Sequence, residues 1–150
     1  GWRLGYVVAH RDNIKALMPL QGQILSCLPG FIQKAACVAD NISEAFLKPV
    51  VAAYKKRMEV LIAELEKNSD LEFLKPSGAF YLFVNISKIL PKLGLSTDIE
   101  FCERLLTQKK TATTPGTSFG MPGWVRLSFA ASDEEVKTGG ERFAQLCRGV

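Results

Sequence analysis

The chain has 150 residues, 47% hydrophobic and 23% charged, with a formal net charge of +4. This balance fits a folded domain with a real core and excludes a disordered tail. The densest basic cluster, Lys55-Lys56-Arg57, is followed by Glu59, Glu64 and Glu66, which makes a solvated helix face; no nucleic-acid partner is expected, and no membrane partner, because no apolar run reaches spanning length.

In chain order, Gly1-Trp2-Arg3 leads into the apolar run Leu4 to Ala9, the pattern of a loop entering a buried strand. The start has no signal-peptide charge pattern. Asn13 to Gln21 predicts a short helix ended near Pro19 and Gly22, followed by a loop from Ser26 to Gly30 and a second helix over Phe31 to Val38. Leu47, Val50, Val51, Tyr54, Met58, Leu61, Ile62 and Leu65 then recur at helical spacing. They predict a long amphipathic helix from about Ser43 to Lys67, bent near Pro49 and ended by Asn68-Ser69-Asp70, with Tyr54 and Met58 in the core.

Two strands follow, separated by Lys75-Pro76-Ser77-Gly78. In the second, Ala79 to Ile86, Phe80, Leu82, Val84 and Ile86 face one side and Tyr81, Phe83 and Asn85 the other. Thr97 and Glu100 form a capping-box signature for a helix over Asp98 to Gln108. Thr111 to Gly123 is a turn-rich loop, and Trp124 to Ala130 alternates as a strand with Val125, Leu127 and Phe129 inward. Ser132 and Glu135 open a last helix to about Arg148, which Gly139-Gly140 should weaken locally. No internal repeat or low-complexity linker interrupts the pattern. The elements describe a compact α+β unit with a small antiparallel or mixed sheet flanked by helices, preceded by a piece of another domain.

Few residues offer chemistry. Cys27, Cys37, Cys102 and Cys147 include no close pair and fall in predicted helices or their lead-ins, so reduced core thiols in a cytosolic setting are expected. His10 is the single histidine, which excludes a His-rich metal site and weakens any His-dependent triad. No metal is expected. Thr113 to Gly120 lacks the Lys-Ser/Thr ending of a P-loop and precedes a strand, not a helix. Arg126 lies mid-strand on the face opposite Val125, Leu127 and Phe129. A guanidinium held there beside the loop hydroxyls of Thr113, Thr114, Thr117 and Ser118 suits bidentate carboxylate binding, but by pattern alone an edge-strand ion pair with a nearby glutamate is favoured, because structural ion pairs are commoner than ligand sites. Arg3 has only glycines and apolar residues nearby, which fits a bound anion or a solvated side chain.

Four stretches, in this order, resemble the class I (fold-type I) aminotransferases, which use pyridoxal 5'-phosphate (PLP), and in particular those similar to aspartate aminotransferase. They are Gly1-Trp2-Arg3-Leu4-Gly5-Tyr6, Pro76-Ser77-Gly78-Ala79-Phe80-Tyr81, Pro115-Gly116-Thr117-Ser118-Phe119-Gly120 and Val125-Arg126-Leu127-Ser128-Phe129. The resemblance implies that Arg3 grips the PLP phosphate and Arg126 the substrate α-carboxylate. It also implies that Phe80 and Tyr81 line the substrate pocket, and that Ser26 approaches the phosphate of the neighbouring subunit in a homodimer. Residues 1–42 would be a strip of the large PLP-binding domain and 43–150 the small C-terminal domain with the long connecting helix.

The Schiff-base lysine of the family would precede Gly1, so no catalytic residue is expected in this chain, and alone it should be inactive and hold no PLP. Where many relatives read Ser-Asn-Pro, this chain has Ser26-Cys27-Leu28-Pro29, and residues 20–29 contain no arginine to grip a second carboxylate. The expected parent is a cytoplasmic enzyme moving an amino group between an amino acid and a 2-oxo acid. The alternatives are another fold-type I activity, a lyase or synthase, and a non-catalytic α+β interaction module.

Overall fold

The first helix, α1, runs from Arg11 to Leu25. It belongs to a computed structural model that describes residues 3–68 and 70–149, with Asp40 described by its backbone alone. Gly1 and Trp2 of the opening motif, and Ser69 of the helix-ending signal, lie outside the described residues. His10 caps α1 by accepting a long bond (3.5 Å) from the Asp12 N–H. The helix passes through Pro19 and Gly22 instead of ending there. Proline removes only its own N–H bond, and the turns on either side keep theirs. Ser26, at φ 56°, is the residue that stops it.

The expected opening strand does not form. Residues 3–10 have no regular structure and are exposed. A strand needs a neighbour for its N–H and C=O groups, and none of the described strands pairs with this run. Helix α2, Gly30–Ala36, and a 3₁₀ turn at Ala39–Asn41 follow. No residue of α1 or α2 is buried.

Helix α3 spans Glu44–Leu65 with Pro49 inside it. Its apolar stripe divides. Met58, Leu61, Ile62 and Leu65 are buried, Tyr54 is half-buried, and Leu47, Val50 and Val51 are exposed, contrary to a stripe wholly in the core. The chain separates into two compact units between Leu47 and Lys48.

The second unit holds the sheet. Strands β1 (Glu72–Phe73), β2 (Tyr81–Asn85), β3 (Thr114–Pro115) and β4 (Trp124–Ser128) pair antiparallel in the order β1-β2-β4-β3. Alternation along β2 and β4 buries Leu82, Val84, Val125 and Leu127 on one face, continued by Ile86 and Phe129. Helix α4 (Asp98–Lys109) packs Phe101 and Leu105 into the same core, and α5 (Asp133–Cys147) packs Phe143 and Leu146. The fold class is therefore α+β, a small antiparallel sheet flanked by helices.

Local signals place these helices. Ser132 and Glu135 complete a reciprocal capping box on α5. On α4 the Thr97 hydroxyl accepts from the Glu100 N–H, while the Glu100 carboxylate takes the Ser96 N–H instead of that of Thr97. Lys56 and Arg57 both donate to Asp133 (2.6 and 2.8 Å), fixing the start of α5 to α3. Gly140 permits the close approach of these two helices, because a Cβ there would lie 3.1 Å from Leu61 Cδ1 and 3.2 Å from Glu64 Cβ.

The cysteines divide too. Cys102 and Cys147 are buried as expected, and burial pushes the Cys147 thiol up to about 12. Cys27 and Cys37 are exposed, because the segments that carry them bury nothing on α1 or α2. All four are free thiols.

Candidate functional site

The face of the sheet opposite the core carries the chemistry. Register places Phe83 and Thr114 across from Arg126 on the two neighbouring strands, with Tyr81 one diagonal step away. Cross-strand neighbours share a face, so these side chains converge by strand geometry alone. The Arg126 guanidinium lies between two rings, with Cζ 4.2 Å from the centre of Tyr81 and 4.5 Å from that of Phe119. Its Nη2 donates to Thr114 Oγ1 at 3.3 Å.

No carboxylate pairs with Arg126 among the described residues, and β4 is an interior strand of the sheet. Both facts remove the edge-strand ion pair from consideration. A cation clamped by aromatic faces, each such contact worth roughly 0.5–2 kcal/mol, keeps most of its N–H fork available to an anion from outside.

The aromatic surface extends both ways. Phe83 stacks on Trp124 (5.4 Å, 20°) and meets Phe119 edge to face (6.1 Å, 84°). On the other side the Tyr81 and Phe80 ring centres are 4.4 Å apart, although strand alternation sends them to opposite faces. Phe80 precedes β2 and follows Ala79, at φ 60°, and its ring stacks on Tyr54. Tyr54 thus contributes to this wall as well as to the core. The structure brings together Phe80, Tyr81 and Arg126 of the expected site.

Arg3 and Ser26 belong to the first unit. Both are exposed, and neither side chain has a partner among the described residues. Among the described residues four non-glycine residues have positive φ: Arg3 (55°), Ala79 (60°), and the helix C-caps Ser26 (56°) and Lys110 (53°). Such backbone is costly for residues with a Cβ and concentrates where a binding site requires it.

The sequence model of the family "Aminotransferase class I and II" matches residues 1–143. The aspartate aminotransferase of Rhizobium meliloti strain 1021 is 34% identical over 98% of this chain and 37% of its own length. A probable aspartate/prephenate aminotransferase of Aquifex aeolicus is 36% identical over 100% of this chain and 38% of its own. This chain is a member of the class I and II aminotransferases. The crystal structure of the Thermotoga maritima aspartate aminotransferase matches with a TM-score of 0.80 at 34% identity, over 99% of this chain and 36% of that one. The aromatic aminotransferase of Pyrococcus horikoshii matches at 0.79 and 32%, over 99% and 39%. The chain thus spans less than two-fifths of the length of these relatives.

Residue reading missed part of this aminotransferase surface. Thr114, one of the loop hydroxyls expected beside Arg126, does accept from it, but Phe119, in the same loop after α4, was missed because turn residues there obscure any periodic signal. The loop contains β3 and a 3₁₀ turn, Gly116–Phe119. Gly116 lets that turn press on its neighbours, since a Cβ there would lie 2.3 Å from the Met121 carbonyl oxygen and 2.7 Å from that of Trp124. The pattern Pro115-Gly116-Thr117-Ser118-Phe119-Gly120 was the available signal. Its spacing does not reveal that Phe119 lies over Arg126.

Proposed function

We propose that this chain is the C-terminal part of a PLP-dependent aminotransferase that moves an amino group between an amino acid and a 2-oxo acid. Residues 1–42 would be a strip of its large domain and 43–150 its small domain. The observation that carries the reading is Arg126, clamped between Tyr81 and Phe119, bonded to Thr114 and without an acidic partner among the described residues. In this role its N–H fork holds the substrate α-carboxylate, and Phe80 and Tyr81 form the apolar wall beside it. The aminotransferase names of the relatives favour group transfer over a lyase or synthase reaction.

The donors of the first unit fit PLP. A guanidinium and a hydroxyl, both exposed and unpartnered among the described residues, suit a phosphate dianion. Arg3 would hold the cofactor's phosphate, and Ser26 would approach that of the neighbouring subunit in a homodimer. When bound, PLP supplies an electron sink for the carbanion at the substrate α-carbon. This chain's share is orientation: Arg126 fixes the carboxylate, and the aromatic wall excludes water from that side of the substrate. On this reading none of the lysines present here holds the cofactor, and the 150 residues do not turn over by themselves. The absence of arginine from residues 20–29 counts against a second carboxylate anchor in that loop.

Two substitutions in the complete enzyme test the assignments. Arg126→Lys keeps the charge but loses the planar fork, and should cost about 2–5 kcal/mol in kcat/KM while PLP content stays normal. Unchanged kinetics would return Arg126 to a structural role. Arg3→Ala should weaken PLP binding, measured by absorbance titration of the apoenzyme, and leave carboxylate affinity of the loaded enzyme unchanged. Equal PLP affinity in variant and wild type would remove Arg3 from the phosphate site.

A further inference from the structure

Asp98 has no part in the surface just described, yet it is 2% exposed, and a buried carboxylate is costly unless its oxygens are taken up. Both are. Oδ2 accepts the Thr117 N–H and Oδ1 the Thr117 hydroxyl, each at 2.7 Å. Asp98 is also the first residue of α4, where the helix dipole favours a negative charge. Thr117 lies within the 3₁₀ turn Gly116–Phe119. That turn leaves β3, whose Thr114 hydroxyl bonds Arg126, and ends at Phe119, whose ring covers Arg126. Two of the three contacts that aim the guanidinium therefore come from a single short segment, and its middle is tied to Asp98.

We infer that Asp98 is a positioning residue for carboxylate recognition, holding the Thr114–Phe119 segment so that Thr114 and Phe119 keep Arg126 aimed at the substrate. This rests on the reading of Arg126 as the carboxylate anchor. Asp98 acts through hydrogen-bond geometry and not through its charge. Asparagine should therefore replace it, accepting the Thr117 N–H through its oxygen and donating to the Thr117 hydroxyl through its amide. Alanine removes both ties. Thr117→Val removes only the hydroxyl tie.

The test uses the complete enzyme and two probes that carry neither an amino group nor a 2-oxo group and so are not turned over, maleate and 3-phenylpropionate. Calorimetric titration gives their affinity, and KM for the amino acid is measured alongside. Near-UV circular dichroism and the melting temperature establish that each variant is folded at the assay temperature. Asp98→Ala should weaken binding of whichever probe the wild type binds by about tenfold and raise KM to match, because a small misplacement of an anchoring group costs on this scale. Thr117→Val should weaken it by about threefold, and Asp98→Asn should stay within about twofold of wild type. In an Arg126→Lys background, Asp98→Ala should cause little additional loss, as expected of residues acting on one group.

If Asp98→Ala does not fold, Thr117→Val and Asp98→Asn decide the matter. Wild-type affinity in folded Asp98→Ala or Thr117→Val, a loss in folded Asp98→Asn as large as about tenfold, or losses that add fully to that of Arg126→Lys, would overturn the positioning role while Arg126 keeps its own. Wild-type affinity in Arg126→Lys itself would overturn the carboxylate anchor, and the role of Asp98 with it.

Discussion

At the scale of single residues, Asp98 also links stability to pH. Burial pushes its carboxyl pKa up, but the N–H and hydroxyl of Thr117 stabilise the ionised form more strongly, and the net shift is below the ordinary 3.8. A carboxyl depressed on folding contributes stability that is complete above its unfolded pKa and is lost as pH falls through the folded value. The wild type should therefore lose stability between about pH 5 and pH 2 more steeply than Asp98→Asn. Urea midpoints across that range measure it, and parallel pH curves would show that the charged form is not preferentially stabilised by the fold. Arg126 was legible as a residue, since strand alternation alone placed it opposite the core. That it has no acidic partner among the described residues was not, because ion pairing depends on side chains far away in sequence.

At the scale of elements, α5 contains adjacent glycines with opposite surroundings. The nearest atom to a Cβ at Gly139 would be Thr111 Cγ2, at an ordinary 3.9 Å, whereas a Cβ at Gly140 would press on Leu61 and Glu64 of α3. Gly139→Ala should stabilise the chain by about 0.5–1 kcal/mol through helix propensity. Gly140→Leu should destabilise it by about 1–3 kcal/mol, since the helices must separate. Thermal melts of the two variants check both signs; a stabilised Gly140→Leu would mean that α5 does not lie this close to α3. Sequence reading treated the two glycines alike, as a local weakness in a helix. It located the capping box of α5 and the Thr97 N-cap of α4 correctly, because such a cap is a contact between residues three apart, while the Glu100 half of the box expected on α4 goes to Ser96.

At the scale of the whole molecule, the two units differ in what they bury. The second has a continuous core, from Met58 and Leu65 on α3 to Phe143 on α5. In the first, α1 and α2 bury no residue, and Tyr6, Val8, Met18, Ile24 and Phe31 are exposed. Helices without tertiary cover open readily. Amide hydrogen exchange of this chain should therefore show slow exchange in β2, β4, α4 and α5 and fast exchange throughout α1 and α2. Comparable protection in both units would show that α1 and α2 are held by contacts absent from this structure.

Periodicity and caps, which are local, determined by themselves the long helix, the inward faces of β2 and β4, the starts of α4 and α5, and hence the α+β class. Four short motifs in order pointed to the aminotransferases before any fold was considered. Tertiary structure decided what depends on distant partners. The run Leu4 to Ala9 is apolar enough for a strand but has no described neighbour to pair with, and Leu47, Val50 and Val51 of the α3 stripe are exposed. The same holds at the site. Thr114, Phe119 and Asp98 meet Arg126 or support its clamp only because β3 pairs with β4 and the turn folds back over the sheet. Residues distant in sequence converge through strand register, and no local pattern records that.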